Sequence, residues 1–143
     1  MTVAAILKQK GTDVARVSPS ATVAEVVQQL TARRIGAMLV MDSAGQVLGI
    51  VSERDVMRSL AEQGARTLEM TAAQLMTTEL HTAGPSTTVA EVTAMMTAGR
   101  FRHMPVMDGN RLLGIVSIGD VVKARLSQQD HEVDSLKAYV AGS

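Results

Sequence analysis

Apolar positions follow two rhythms along this chain, and the full succession of rhythms occurs twice. Val23, Val26, Val27 and Leu30 fall at helical spacing, as do Val89, Val92, Met95 and Met96. After each come two apolar runs too short for helices and separated by turn residues. The runs are 37–41 and 47–51 in the first half, and 104–107 and 112–116 in the second. Each pair predicts a buried β-hairpin. Ser-x-x-Asp then leads into a further helical stretch, 55–63 and 120–128. A short extended segment, Val14 to Val17, precedes Ser18-Pro19, because a residue before proline is pushed out of the helical region. Each copy therefore reads strand, helix, strand, strand, helix.

The copies share residues as well as rhythm. Pro19, Val23, Glu25, Val26, Met38, Val40, Met41 and Asp42 return 66 positions on, as Pro85, Val89, Glu91, Val92, Met104, Val106, Met107 and Asp108. Gly49 returns as Gly114, 65 positions on, so one residue is lost in between. The hairpin turns, Ser43-Ala44-Gly45-Gln46 against Gly109-Asn110-Arg111, are where a one-residue change is best absorbed. Thr22-Val23-Ala24-Glu25 and Thr88-Val89-Ala90-Glu91 are both capping boxes, in which hydroxyl and carboxylate satisfy free N–H groups at a helix start. The chain is two copies of one supersecondary unit. The predicted boundaries are 1–66 for the first copy, 67–79 for a linker with a short helix, 80–128 for the second copy and 129–143 for a C-terminal amphipathic helix. That tail carries Val133, Leu136, Tyr139 and Val140 on one face and packs either on the domain or on a partner subunit.

Composition narrows the class. With 143 residues and 46% hydrophobic content the chain can bury a real core, built from aliphatic residues and ten Met because it holds one Phe, one Tyr and no Trp. Fourteen basic and fourteen acidic residues cancel, so no global field attracts nucleic acid or an anionic membrane. No cysteine is present, which fits a reducing compartment. The first residues show no basic leader, and no apolar stretch approaches the roughly 20 residues that span a bilayer. A cytoplasmic protein, free of nucleic acid and membrane, is expected.

The candidate chemistry lies where each second hairpin strand meets its helix. Gly49-Ile50-Val51-Ser52-Glu53-Arg54-Asp55 returns as Gly114-Ile115-Val116-Ser117-Ile118-Gly119-Asp120. Ser, Gly and Asp recur while the two residues between Ser and Asp change. One reading is structural, with Ser52 and Ser117 as N-caps and Asp55 and Asp120 facing the positive helix end. The other is functional: exposed N–H groups beside a hydroxyl favour a phosphate, and the carboxylate accepts hydrogen bonds from a ribose diol. Both can hold at once.

The doubled β-α-β-β-α unit, Gly-Ile-Val-Ser-x-x-Asp closing each copy, and Arg102-His103-Met104-Pro105-Val106 in the second together resemble the tandem cystathionine-β-synthase (CBS) domain pair. The resemblance covers nearly the whole chain and is of the stand-alone bacterial nucleotide-sensing type. It implies an α/β (α+β) fold of two units packed with pseudo-twofold symmetry, with adenosyl compounds bound in the cleft between them. AMP and NAD(H) are the expected ligands, with ATP, ADP or S-adenosylmethionine as further candidates. By the same resemblance Asp55 and Asp120 hold ribose hydroxyls, and Ser52 and Ser117 assist. Arg102, His103, Met104 and Pro105, and in the first copy Gly36, Ala37 and Met38, contact the adenine. The opening segments supply the other wall through Val14, Val17, Leu80 and Thr82.

The copies disagree where basic groups stand. Arg54 sits inside the first motif, whereas the second copy has Arg102-His103 where the first has Gly36-Ala37. The two sites are therefore expected to differ. His103 reads as a phosphate or base contact in preference to a general base, because no nucleophile lies nearby in sequence. No His or carboxylate spacing suits a metal. Met38, Met41, Met104 and Met107 recur at strand positions and read as core. The expected protein is a regulatory nucleotide-binding module without enzyme activity, a homodimer that reports energy or redox state to an unknown effector protein. A dimerisation scaffold with degenerate ligand sites is the alternative.

Overall fold

The computed structural model describes residues 1–142. In chain order the elements are α1 (Val3–Lys10), β1 (Arg16–Val17), α2 (Val23–Arg33), β2 (Ala37–Met41), β3 (Val47–Ser52), α3 (Glu53–Gln63), a 3-10 helix (Gly64–Glu69), α4 (Ala72–Leu75), α5 (Val89–Gly99), β4 (His103–Asp108), β5 (Arg111–Ser117) and α6 (Ile118–Gly142). They form two compact units: Asp13–His81, and Met1–Thr12 together with Thr82–Ser143. Both are α+β, as expected.

In the Asp13–His81 unit, β1 runs parallel to β2, and β2 pairs antiparallel with β3. Val26 and Leu30 of α2 pack with Met38, Val40, Val51 and Ala72. In the other unit β4 and β5 form the hairpin, and the opening strand shrinks to one bridge, Ala83 with Val106. Its core joins Val92 and Met96 of α5 to Met104, Val106 and Val116. The lost residue falls at the turn: Asp108 pairs with Arg111 across Gly109-Asn110, whereas in the first copy Asp42 caps a longer loop, its carboxylate accepting from Ala44 and Gln46.

The first twelve residues, adjacent in sequence to the first copy, pack with the second. Val3 N–H donates to the Thr87 carbonyl and Ala4 N–H to that of Pro85; Ile6 and Leu7 enter the core beside Met104. The α4 segment does the same for the first copy, with Ala72 N–H on the Ala21 carbonyl and Ala73 N–H on that of Pro19. Each repeat is thus covered by a short helix that precedes a repeat in sequence.

That covering helix explains why both motifs begin with glycine. A Cβ at Gly49 would lie 2.7 Å from Met76 Sδ and 2.8 Å from the Thr77 carbonyl oxygen; one at Gly114 would lie 2.8 Å from Leu7 Cδ2. Neither glycine is needed for its backbone angles. Both are needed because another segment crosses the strand at contact distance.

Two expectations need adjustment. The Thr22–Glu25 capping box forms in full, but its copy forms only in part: Thr88 accepts from Glu91 N–H with no return bond. The tail predicted as a separate helix from 129 is continuous with the helix that follows Ser117, because residues 118–142 contain no Pro and no Gly between Gly119 and Gly142 to interrupt it.

Gly49→Ala is expected to lower stability by about 1–3 kcal/mol, and Gly114→Ala by less, since a leucine methyl can swing aside where the Thr77 carbonyl cannot. Urea unfolding midpoints of the two variants check the order.

Candidate functional site

Each Ser-x-x-Asp element sits where a strand ends on the first turn of a helix, and both close as capping boxes. Ser52 N–H donates to Asp55 Oδ2 at 2.9 Å, and Asp55 N–H returns a bond to Ser52 Oγ at 3.3 Å. Ser117 N–H donates to Asp120 Oδ2 at 2.8 Å, and Asp120 N–H to Ser117 Oγ at 3.2 Å. The serines' structural role is therefore real, and it fixes one oxygen of each carboxylate. Function must use what remains.

What remains differs between the copies. Ser52 Oγ also donates to Asp55 Oδ2 at 3.0 Å, while Oδ1 accepts from Thr77 Oγ1 at 3.3 Å and lies 3.5 Å from the Arg58 guanidinium. The Asp55 side chain is only 7% exposed. Asp120 is 22% exposed, and its bonds from Ser117 N–H and from Lys10 Nζ, at 2.6 Å, both fall on Oδ2. Among the described residues these bonds leave Oδ1 open to a ligand.

The difference arises in the covering helices. After Leu75 the chain meets Met76-Thr77-Thr78, whose β-branched pair disfavours helix, and Thr77 instead exchanges two backbone bonds with Ile50, at 2.8 and 3.0 Å. In α1, Leu7 answers Met76 and is followed by Lys8-Gln9-Lys10, good helix formers, so α1 runs to Lys10 and stops at Gly11, with φ 95°. Lys10 Nζ then takes over the two donations that Thr77 makes in the first copy, to the Ile115 carbonyl at 2.9 Å and to Asp120. A neutral hydroxyl in one copy is a cation in the other.

Burial alone would raise the Asp120 carboxyl. The hydrogen bond and charge of Lys10 and the bonds from Ser117 outweigh it and hold the group below the ordinary carboxylate value.

The predicted base-contact residues lie beside these boxes. Gly36 accepts from Glu53 N–H at 2.9 Å and Ala37 pairs with Ser52; Arg102 accepts from Ile118 N–H at 2.7 Å and His103 pairs with Ser117. Arg54 and Arg102 are exposed and His103 is half-buried. Met38, Met104 and Pro105 are buried, and the Pro105 carbonyl is already bonded to Ala83 N–H. Val14 and Val17 lie in or beside β1, next to β2. Thr82 adjoins the Ala83 bridge in the second-copy unit, whereas Leu80 falls in the first-copy unit. A groove of about 440 Å³ between α2 and α3, lined by Val27, Leu30, Arg34, Gly36 and Met57 among others, is chiefly apolar and does not include Asp55. Lys10 and Thr77 were not among the sequence candidates. The signal for them is a further echo, Thr2-Val3-Ala4-Ala5-Ile6-Leu7 against Thr71-Ala72-Ala73-Gln74-Leu75-Met76.

With this geometry in place, comparison with known proteins is direct. The CBS domain family matches residues 6–62 and again 72–127, and the chain belongs to that family. A solved structure of the CBS-domain containing protein ATU1752 from Agrobacterium tumefaciens is 44% identical, superposes with a TM-score of 0.85, and is covered over 87% of this chain and 92% of that one. The mitochondrial CBS domain-containing protein CBSX3 of Arabidopsis thaliana is 36% identical over 85% of this chain, which spans 61% of that protein's length. CBSX2, solved in complex with AMP, is 25% identical with a TM-score of 0.73, covering 90% of this chain and 98% of that one. No helix among the described residues is long and apolar enough to cross a membrane.

Replacing Lys10 with Met is expected to cost about 0.5–1 kcal/mol at pH 7. Because the folded-state value of Asp120 is depressed, its contribution is present above the unfolded-state value and is lost as pH falls through the folded one. Urea titrations of wild type and Lys10→Met should therefore differ at pH 7 and converge in acid.

Proposed function

We propose that the protein is a regulatory module that binds an adenine nucleotide, with the Asp120 site as its principal ribose site. The observation that carries this reading is the unequal commitment of the two carboxylates, Asp55 being enclosed by Ser52, Thr77 and Arg58 while Asp120 keeps Oδ1 and a cation beside it. The donor set suits such a ligand. A carboxylate accepts from a ribose diol, helix N–H groups and Lys10 attract a phosphate, and exposed Arg102 adds a second positive charge. The likeness to an AMP-bound CBS protein supports the class.

AMP and NAD(H) are the first candidates, with ATP, ADP and S-adenosylmethionine behind them. Binding shifts the equilibrium of a homodimer between two arrangements by its differential affinity for them, and an effector protein reads the outcome as energy or redox state. The module performs no catalysis, and its place is the cytoplasm.

A thermal-shift panel of these nucleotides tests the reading, since a ligand at 100 times its dissociation constant adds about 2.7 kcal/mol of stability. Asp120→Ala is expected to weaken binding about 10- to 100-fold, as loss of a hydrogen bond to a charged group costs about 1.5–3 kcal/mol. Asp55→Ala should chiefly lower stability. Stabilisation by no nucleotide, or an affinity indifferent to Asp120, would contradict it.

A further inference from the structure

The unused feature of the molecule is the far end of α6. Only its first turns enter the core, through Val121 and Ala124, and from residue 129 to 142 every side chain is exposed. Yet Leu126, Val133 and Leu136 are 56%, 50% and 64% exposed, and the helix continues without a break beneath them. A helix of that length with apolar residues in water is marginal by itself.

The spacing is heptad. Leu126, Val133 and Val140 occupy a positions, and Gln129 and Leu136 occupy d positions. The flanking charges then discriminate between partners. In a parallel pair each g residue faces the e residue five positions on in the other helix, which sets Arg125 against Asp130 and Glu132 against Lys137. Both pairings are of opposite sign, and each occurs twice across the twofold axis. None of the four residues makes an ion pair within its own chain among the described residues. The antiparallel arrangement of full overlap sets Glu132 beside Glu132 and Asp130 beside Asp130. Shifting it by one heptad one way pairs Asp130 with Lys137 but leaves Arg125 and Glu132 without partners; shifting it the other way pairs Arg125 with Glu132 and Lys123 with Asp130, but sets Leu136 against Gly119 and leaves Val140 outside the seam.

We infer that the exposed half of α6 is a docking surface for a second copy of this chain, forming a parallel two-stranded coiled coil over residues 126–140. Val133 and Val140 at a with Leu136 at d favour two strands, and Gln129 is the one polar residue in the seam. The inference deepens the homodimer reading above and is independent of the nucleotide.

Sedimentation equilibrium of the full chain and of Leu136→Glu tests the surface, and air oxidation of Leu126→Cys tests its direction. The protein has no cysteine, so any disulfide reports Leu126 facing its own copy. The wild type is expected to run at a multiple of 15.1 kDa, with the mass halved in Leu136→Glu and an intermolecular disulfide in Leu126→Cys. Glu132→Lys should weaken the dimer at least several-fold, and the double change Glu132→Lys with Lys137→Glu should restore it. A monomeric wild type overturns both the inference and the homodimer reading. A wild-type oligomer whose mass ignores Leu136→Glu overturns the inference alone, and absence of the disulfide or of the charge rescue overturns the parallel arrangement.

Discussion

The structure depends on one turn made twice, in which a strand leaves the sheet and becomes a helix with no loop between. A strand delivers its last residue in extended conformation, and the first helical N–H groups then have no partners. Serine and aspartate three apart solve this reciprocally, which lets β3 run straight into α3 and β5 into α6. The same device opens α2 and α4 with Thr22–Glu25 and Thr71–Gln74. What sets the Ser-x-x-Asp boxes apart is that their carboxylates stand at the edge of a hairpin whose paired strand presents Gly36-Ala37 or Arg102-His103.

The boxes do not stand alone, because each lies under a segment from before a repeat. That segment crosses the strand at Gly49 or Gly114, so the glycine of the motif belongs to the crossing and the serine and aspartate to the turn. The length of the covering helix then decides the chemistry of the carboxylate. A helix that stops at Leu75 brings a threonine hydroxyl to Asp55, and one that runs to Lys10 brings an ammonium to Asp120. Two Ser-x-x-Asp boxes of the same geometry are thereby given different electrostatic surroundings by residues outside the motif.

Much of this was legible in the sequence. The hairpins, both Ser-x-x-Asp boxes, the turn that absorbs the missing residue and the burial of Met38, Met41 and Met104 follow from periodicity and from the doubling, which checks every local reading against a second copy; Met107, expected in the core, is only half-buried. The covering role of α1 was not legible, since sequence adjacency ties residues 1–12 to the first copy while hydrogen bonds to Pro85 and Thr87 tie them to the second. Lys10 escaped for the same reason: its partner lies 110 residues away, and nothing local to either residue encodes the pair. Asymmetry was expected from Arg54, Arg102 and His103, and the contacts locate it also in Lys10 and Thr77, one step further from the motif.

The central claim is that the two boxes, alike in sequence, are unlike in availability. Backbone amide NMR during titration with AMP tests it most directly, because each box reports through its own N–H groups. The account predicts that Ser117, Ile118 and Asp120 shift at the lowest ligand concentrations, before Ser52, Glu53 and Asp55 respond. Shifts that begin at Ser52 to Asp55 and leave Ser117 to Asp120 unmoved would contradict it.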